Sequence, residues 1–513
     1  MTGGNERWDV VVVGAGLGGL GAAVALVRAG RRVLMLEQAH QPGGYAVTFE
    51  RPPYRFDASL HAYNGLAPGG GGDELLRALG ISDRVDLARL DPLYLARFPD
   101  GDVVVPADPF RYEEELVRLF PSQRDGIRAL FDETWAALAQ MRRLSLDALA
   151  ERVPPPEGFA AQYPVLARLT GRSWAQQVSS RIDDQRLLGV LTILWAYAAT
   201  PPSRLDALTG LGMVGSYAFF GGWYPRGGSA AVPRALVEVL TEAGGRIEYG
   251  QRVDRIDVQD GRVRGVSTAQ GLHVTCDAVV SNASGPALAH LVGRDQLPEE
   301  YLARLDALPV AASSVSVFLA LDRDVMAEHR LPHEVFLLAD YDQERAYAAG
   351  VRGDWDQAGL AVTDYTHHDP GCCPPGGGVV VLSATAGWDY ADTWGTGGDL
   401  SARADGYALV KDRVADALVA RADRAIPGLA DAVRFREVAT PLTNQRYTLN
   451  PAGSWAGFER RPAGTGPAPL DARTPLPNLV LAGAWTGSFG QLPSLHSGVK
   501  AARLVERALA GRE

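Results

Sequence analysis

The chain reads as an α/β protein in which one parallel-sheet domain is assembled from separated stretches, with an α+β domain interleaved between them. Three observations predict this. An apolar run, Val10 to Val13, leads into Gly14-Ala15-Gly16-Leu17-Gly18-Gly19, and a second apolar run, Val33 to Leu36, ends on Glu37. Buried-strand patterns return far downstream, at Ala278 to Val280 and at Asn478 to Ala482. Between them, Ser313 to Leu319, Glu334 to Leu338 and Val379 to Ser383 have the composition of a second, mixed sheet.

The first observation carries chemistry. Gly14, Gly16 and Gly19 fit G-x-G-x-x-G at a strand-to-helix turn. Gly14 permits the tight turn, Gly16 lets a pyrophosphate approach the backbone, and Gly19 lets the helix pack closely on the sheet. Leu17 and Gly18 stand at the helix start, where unpaired N–H groups face phosphates. Glu37, at the end of the next strand, can accept hydrogen bonds from a ribose diol. The segment predicts a bound dinucleotide and leaves FAD and NAD open.

The remaining elements follow in order. Residues 49–100 are irregular, broken by Pro52-Pro53, the run Gly69 to Gly72, and Pro92. Phe110 to Leu146 has helical spacing, and 160–220 reads as further helices rich in aromatic side chains. Pro233 to Ala243 is a helix that Gly244-Gly245 stops. Arg246 to Tyr249, Val253 to Val258, Arg262 to Thr268 and Leu272 to Thr275 alternate like strands, with Asp260-Gly261 as a hairpin turn. Residues 402–426 and Ser497 to Ala510 are helical. The expected division is 1–100, 227–300 and 440–513 for the cofactor domain, 101–226 for a mainly helical cap, and 301–439 for a substrate domain.

Composition bounds the function. With 513 residues the chain exceeds one ordinary core. An apolar share of 46% and a charged share of 21% are ordinary for a globular enzyme. The net charge of -10 argues against a nucleic-acid groove. Three cysteines without ligand spacing predict neither a disulfide framework nor a metal centre. His367 and His368 beside Cys372 and Cys373 read as a polar loop rather than a metal site. The first strand begins within ten residues of Met1, so no secretory signal is expected. No apolar run reaches the roughly 18 residues of a membrane span. A cytoplasmic protein is expected, with at most weak peripheral membrane contact.

The distributed pattern resembles the phytoene desaturase and carotenoid isomerase-like flavoproteins, within the wider amine-oxidase-like FAD family. The resemblance rests on Val10 to Leu20, Leu36-Glu37, Gly43-Gly44, Phe56-Asp57 and Leu60-His61. It continues through Gly227-Gly228, Asp277 to Ala283, Asn478 to Gly483 and Leu492 to Gly498. It implies FAD on a Rossmann-like fold with an interleaved α+β substrate domain. Gly43 and Gly44 would lie beside pyrophosphate and flavin, Val253 beside adenine, and Gly483, Leu492 and Pro493 along the second half of FAD. Many relatives carry an acidic residue after the glycine matching Gly483. Here Ala484-Trp485 follows, and Trp485 is expected to shape the flavin pocket.

The resemblance implies a desaturase or dehydrogenase that forms a carbon–carbon double bond in an apolar or polyene-like substrate. The electrons would pass on to oxygen, a quinone or another acceptor. Double-bond isomerisation or saturation, amine oxidation, and non-catalytic prenyl or lipid binding are the alternatives. No convincing acid–base pair emerges from the residues. His61, His496 and Tyr447 are the candidates. Trp195, Tyr217, Phe219, Phe220, Trp223, Tyr224 and Trp455 are expected around an apolar substrate cavity.

Overall fold

The computed structural model describes residues 7–149, 152–388, 394–395, 405–487 and 489–511. Arg7–Val13 is the centre of a seven-stranded sheet. Val10, Val11 and Val12 are fully buried, so both faces of the strand are covered. Val33–Leu36 pairs parallel on one side and His273–Ser281 on the other. Arg246–Glu248 extends the sheet beyond Val33–Leu36.

His273–Ser281 serves two partners along one edge. Its first half pairs antiparallel with Arg262–Thr268, which pairs in turn with Val253–Gln259. Its second half pairs parallel with Leu479–Leu481. Strands from three separated stretches thus form one sheet, and the parallel ones end together where Gly14, Glu37, Asn282 and Gly483 follow.

Helices Leu17–Arg28 and Gln491–Leu509 cross on one face of this sheet. Small residues permit the crossing. A Cβ on Gly498 would overlap the carbonyl of Gly18, and one on Gly21 would overlap the carbonyl of Leu495.

The second sheet also has seven strands, in the order Val433–Ala439, Ser313–Leu321, Gly378–Ala386, Leu360–Asp364, Glu334–Leu337, Tyr94–Phe98, Gly101–Val105. Alternation sets its faces. Val315, Val317, Leu319 and Leu321 share a core with Val414, Leu418 and Ala422 of helix Asp405–Ala425. Ser314, Ser316 and Phe318 point the other way, into a cavity between the two sheets.

Two expectations need correction here. The boundary at residue 100 falls in the turn between Tyr94–Phe98 and Gly101–Val105, and both strands belong to the second sheet. The preceding strand Leu87–Leu90 pairs with Gly222–Pro225 in a small separate sheet. The single helix expected from Phe110 to Leu146 is two, Pro109–Leu119 and Arg124–Leu149. Pro121 separates them, since it supplies no N–H to continue the ladder. These helices and those up to Ala207–Phe220 enclose their own core around Tyr112, Phe131, Trp174 and Leu211.

Candidate active site

A continuous cavity of about 1020 Å³ runs from the ends of the parallel strands to the space under the second sheet. At its first end the wall is nearly all backbone. Gly14, Gly16, Leu17, Gly18, Gly43, Gly44 and Gly483 line it. Gly16 and Gly43 meet in a bridge, and the Gly43 N–H donates to the Ala15 carbonyl at 2.8 Å. Gly14, Gly43, Gly44 and Gly483 all have positive φ, which favours glycine. Asn282 stands between these loops. A Cβ on Gly16 would lie 2.5 Å from its Nδ2, and one on Gly18 would lie 2.5 Å from its Oδ1.

Two helix starts face this end. Leu17–Arg28 and Gln491–Leu509 are preceded by Gly16 and Gly490, and neither carries a side-chain cap. Their first N–H groups are therefore available to an acceptor in the cavity. Leu492 and Pro493 line it, as do Val253 and Trp485. Trp485 Nε1 donates to Asn450 Oδ1 at 3.1 Å, and its ring meets Phe458 edge-on at 4.8 Å.

Glu37 is buried, with 7% of its surface exposed. Its carboxylate accepts from Ala15 N–H at 2.6 Å and Ala39 N–H at 2.8 Å. Burial raises its pKa, and the N–H groups of Ala39, Ala15 and Gln38 oppose that rise. Gly19 lies outside the lining, because its Cα packs on the Gly14 carbonyl beneath the turn.

At the other end the wall is aromatic and apolar. Trp195, Tyr197, Met213, Tyr217, Phe336, Leu338, Trp455 and Phe489 line it. Tyr447, 69% exposed, and Leu449, 49% exposed, stand at the mouth.

His61 lies on the loop that Asp57 organises. The buried Asp57 carboxylate accepts from the N–H groups of Ser59, Leu60 and Ser229, the Ser229 hydroxyl and the Tyr224 hydroxyl. Across the cavity wall, Glu334 and Thr363 are register partners on adjacent strands of the second sheet. Their side chains share the face of Phe336 and Ala361. Thr363 Oγ1 donates to Glu334 at 2.9 Å, and His61 Nδ1 lies 2.8 Å from Thr363 Oγ1 and 3.1 Å from Glu334 Oε2. Burial of the ring opposes protonation, but the Glu334 carboxylate, its hydrogen bond and Asp57 outweigh it, and the pKa of His61 is raised. Nothing in the local sequence marks Glu334 or Thr363, which lie some 270 to 300 residues from His61.

Besides Gly19, five expected residues do not line the cavity. Phe219 and Phe220 lie in the last turn of their helix and pack on Trp135, with ring centroids 5.1 Å and 6.3 Å from it. Thr209, Gly212, Met213 and Ser216 form the cavity side of that helix. Trp223 and Tyr224 belong to strand Gly222–Pro225, where Trp223 Nε1 donates to the Phe220 carbonyl and Tyr224 hydroxyl to Asp57. His496 sits in the last helix away from the cavity. Burial, then the charges of Lys500 and Arg503, push it down to about 4. Among the described residues no cluster of three or more His, Cys, Asp or Glu could hold a metal, and no helix is long and apolar enough to cross a membrane.

The family model for flavin-containing amine oxidoreductases matches residues 17–505. The chain belongs to that family. This FAD-dependent oxidoreductase is 32% identical over 379 residues to a phytoene dehydrogenase of Streptomyces griseus, covering 72% of this chain and 70% of the relative. It is 26% identical over 469 residues to prolycopene isomerase 1 of an Oncidium hybrid cultivar, covering 89% and 76%. Cyclohexylamine oxidase of Brevibacterium oxydans shares the fold, with a TM-score of 0.64, 18% identity, and 98% and 100% coverage.

Proposed function

We propose that this FAD-dependent oxidoreductase forms a carbon–carbon double bond in an apolar, polyene-like substrate. The observation that carries the reading is the single cavity with two unlike ends. One end is backbone, with N–H groups and one buried carboxylate. The other is aromatic and aliphatic, which suits a long apolar molecule.

The first end fits FAD. The N–H groups at the starts of Leu17–Arg28 and Gln491–Leu509 suit the pyrophosphate and the far half of the cofactor. Glu37 has lone pairs left for ribose hydroxyls beyond the N–H groups it already accepts. The Gly16, Gly43 and Gly44 backbone leaves room for close approach, Val253 flanks the adenine, and Trp485 shapes the flavin pocket. Bound FAD supplies the two-electron oxidant, and its reoxidation falls to oxygen, a quinone or another acceptor. The chain positions the substrate between Trp195, Tyr217 and Trp455 and keeps water away from the reacting carbons.

The same cavity suits isomerisation or saturation with reduced flavin, and the likeness to a prolycopene isomerase favours that as the second reading. One experiment tests both. The yellow holoprotein is mixed with candidate polyenes without oxygen, flavin absorbance is followed, and products are weighed by mass spectrometry. Flavin bleaching with loss of two hydrogens supports desaturation. Unchanged product mass supports isomerisation, and a gain of two hydrogens with pre-reduced flavin supports saturation. No reaction with any polyene, but bleaching by amines, rejects the proposal.

A further inference from the structure

We propose that His61 exchanges the substrate proton at Nε2 and that Glu334 is its positioning residue. The inference rests on the reaction proposed above and adds the proton to it. Removing two hydrogens takes away a hydride and a proton, and the apolar end of the cavity offers few groups able to accept the second.

The geometry fixes which nitrogen is free. Thr363 Oγ1 gives its only hydrogen to Glu334, so toward His61 it presents lone pairs. Glu334 presents lone pairs as well. Nδ1 must therefore carry a hydrogen whether the ring is neutral or charged. Nε2 becomes the titrating atom, and no described residue bonds to it. His61 has 19% of its side chain exposed and lines the cavity, while Glu334 behind it has 2% exposed.

Among the described residues Glu334 has no Arg or Lys partner, and His61 is the one basic group in its bonding shell. A buried carboxylate in that setting favours imidazolium and orients the ring. The other titratable groups around the ring and its partners are Tyr94, Tyr197, Tyr217, Tyr365, His333 and Asp57. Burial holds the four tyrosines far above their ordinary value and pushes His333 down, so all five are neutral. Asp57 is engaged by five donors.

The step balances as follows. One substrate C–H bond would give up its hydrogen and electron pair together as hydride, for which bound FAD would be the acceptor. The neighbouring C–H bond breaks heterolytically, its electron pair becomes the new π bond, and its proton passes to Nε2 of neutral His61. The imidazolium left behind is neutralised by Glu334 and later loses its proton to solvent.

The test uses the holoprotein and two variants. His61→Gln should keep FAD and lower the anaerobic rate of flavin reduction by roughly 10² or more. Glu334→Gln removes the charge that raises the His61 pKa, so the acid limb of kcat/KM should move to lower pH by about one unit or more. Nitrogen-15 NMR of labelled histidine, with and without flavin, gives a readout independent of turnover. His61 should be an Nδ1–H tautomer with a pKa above 6.5, falling in Glu334→Gln. Reduction by His61→Gln within threefold of the parent, an unmoved limb, or an Nε2–H tautomer in the parent would overturn the inference. If the parent reduces flavin with no polyene, the proposed function fails, and the NMR result alone then decides the His61–Glu334 pairing.

Discussion

At the scale of single residues, the buried carboxylates differ in what satisfies them. Glu37 is held by peptide N–H groups at 2.6 and 2.8 Å rather than by a cation. Hydrogen bonds to a charged acceptor are worth about 1.5 to 3 kcal/mol, so Glu37→Ala should weaken FAD binding roughly 10- to 100-fold. Fluorescence titration of flavin-free protein with FAD measures it, and unchanged affinity would remove Glu37 from the cofactor site. Asp364 is a second case. Burial, with Asp324 adding, raises it to about 7, and the Thr366 N–H only partly offsets this. An unfolded Asp ionises near 3.9. Between those values the folded state holds a proton that the unfolded state releases, so rising pH costs stability. Asp364→Asn should abolish a loss of roughly 3 kcal/mol between pH 4.5 and 8, read by denaturant titration at both pH values.

At the scale of elements, two helices make opposite points about what can be read in advance. The turn Gly14 to Gly19 was legible because its constraints are local: strand, tight turn and helix start lie within a few residues. Helix Ala207–Phe220 was not, because it is apolar nearly all round and periodicity cannot say which of its turns looks into a cavity. Phe219 and Phe220 therefore drew attention that belongs to Met213 and Ser216. Phe219 is half-buried, so Phe219→Ala should lower stability by about 0.5 to 3 kcal/mol through lost packing on Phe131 and Trp135, yet leave KM within about twofold. Substituting Tyr217, on the cavity wall, should raise KM instead. Steady-state kinetics beside thermal melts separates the two. The crossing of Leu17–Arg28 with Gln491–Leu509 gives a sharper case. Gly498→Val must displace the Gly18 carbonyl, and overpacking of this kind costs about 1 to 3 kcal/mol or more. Because both helix starts face the cavity, the variant should also lose FAD, measured as flavin per protein after gel filtration.

At the scale of the whole molecule, the walls of the cavity come from stretches hundreds of residues apart. The likeness in apolar pattern between Val10–Val13, Ala278–Val280 and Leu479–Leu481 made the shared sheet legible. His61 meeting Glu334 and Thr363 was not legible, since it depends on how two sheets face each other and leaves no trace in local spacing. One consequence is cooperative. FAD at 100 times its Kd should add about 2.7 kcal/mol to the whole fold, so the melt of holoprotein should shift upward as one transition. Two separate transitions, with only one moved by FAD, would contradict a single coupled unit.

The in-register pairing of Arg7–Val13 with His273–Ser281 also has a meaning in time. During synthesis the first strand leaves the ribosome long before its neighbour exists. Some 270 residues must be added first, which takes roughly fifteen seconds to a minute at about 5 to 20 residues per second. Through that interval one edge of a strand made of consecutive valines has no native partner, and such edges recruit other chains. The nascent protein therefore carries an aggregation hazard early. Slower elongation between residues 14 and 281, or loss of chaperones that bind extended apolar segments, should reduce soluble yield without altering the finished enzyme.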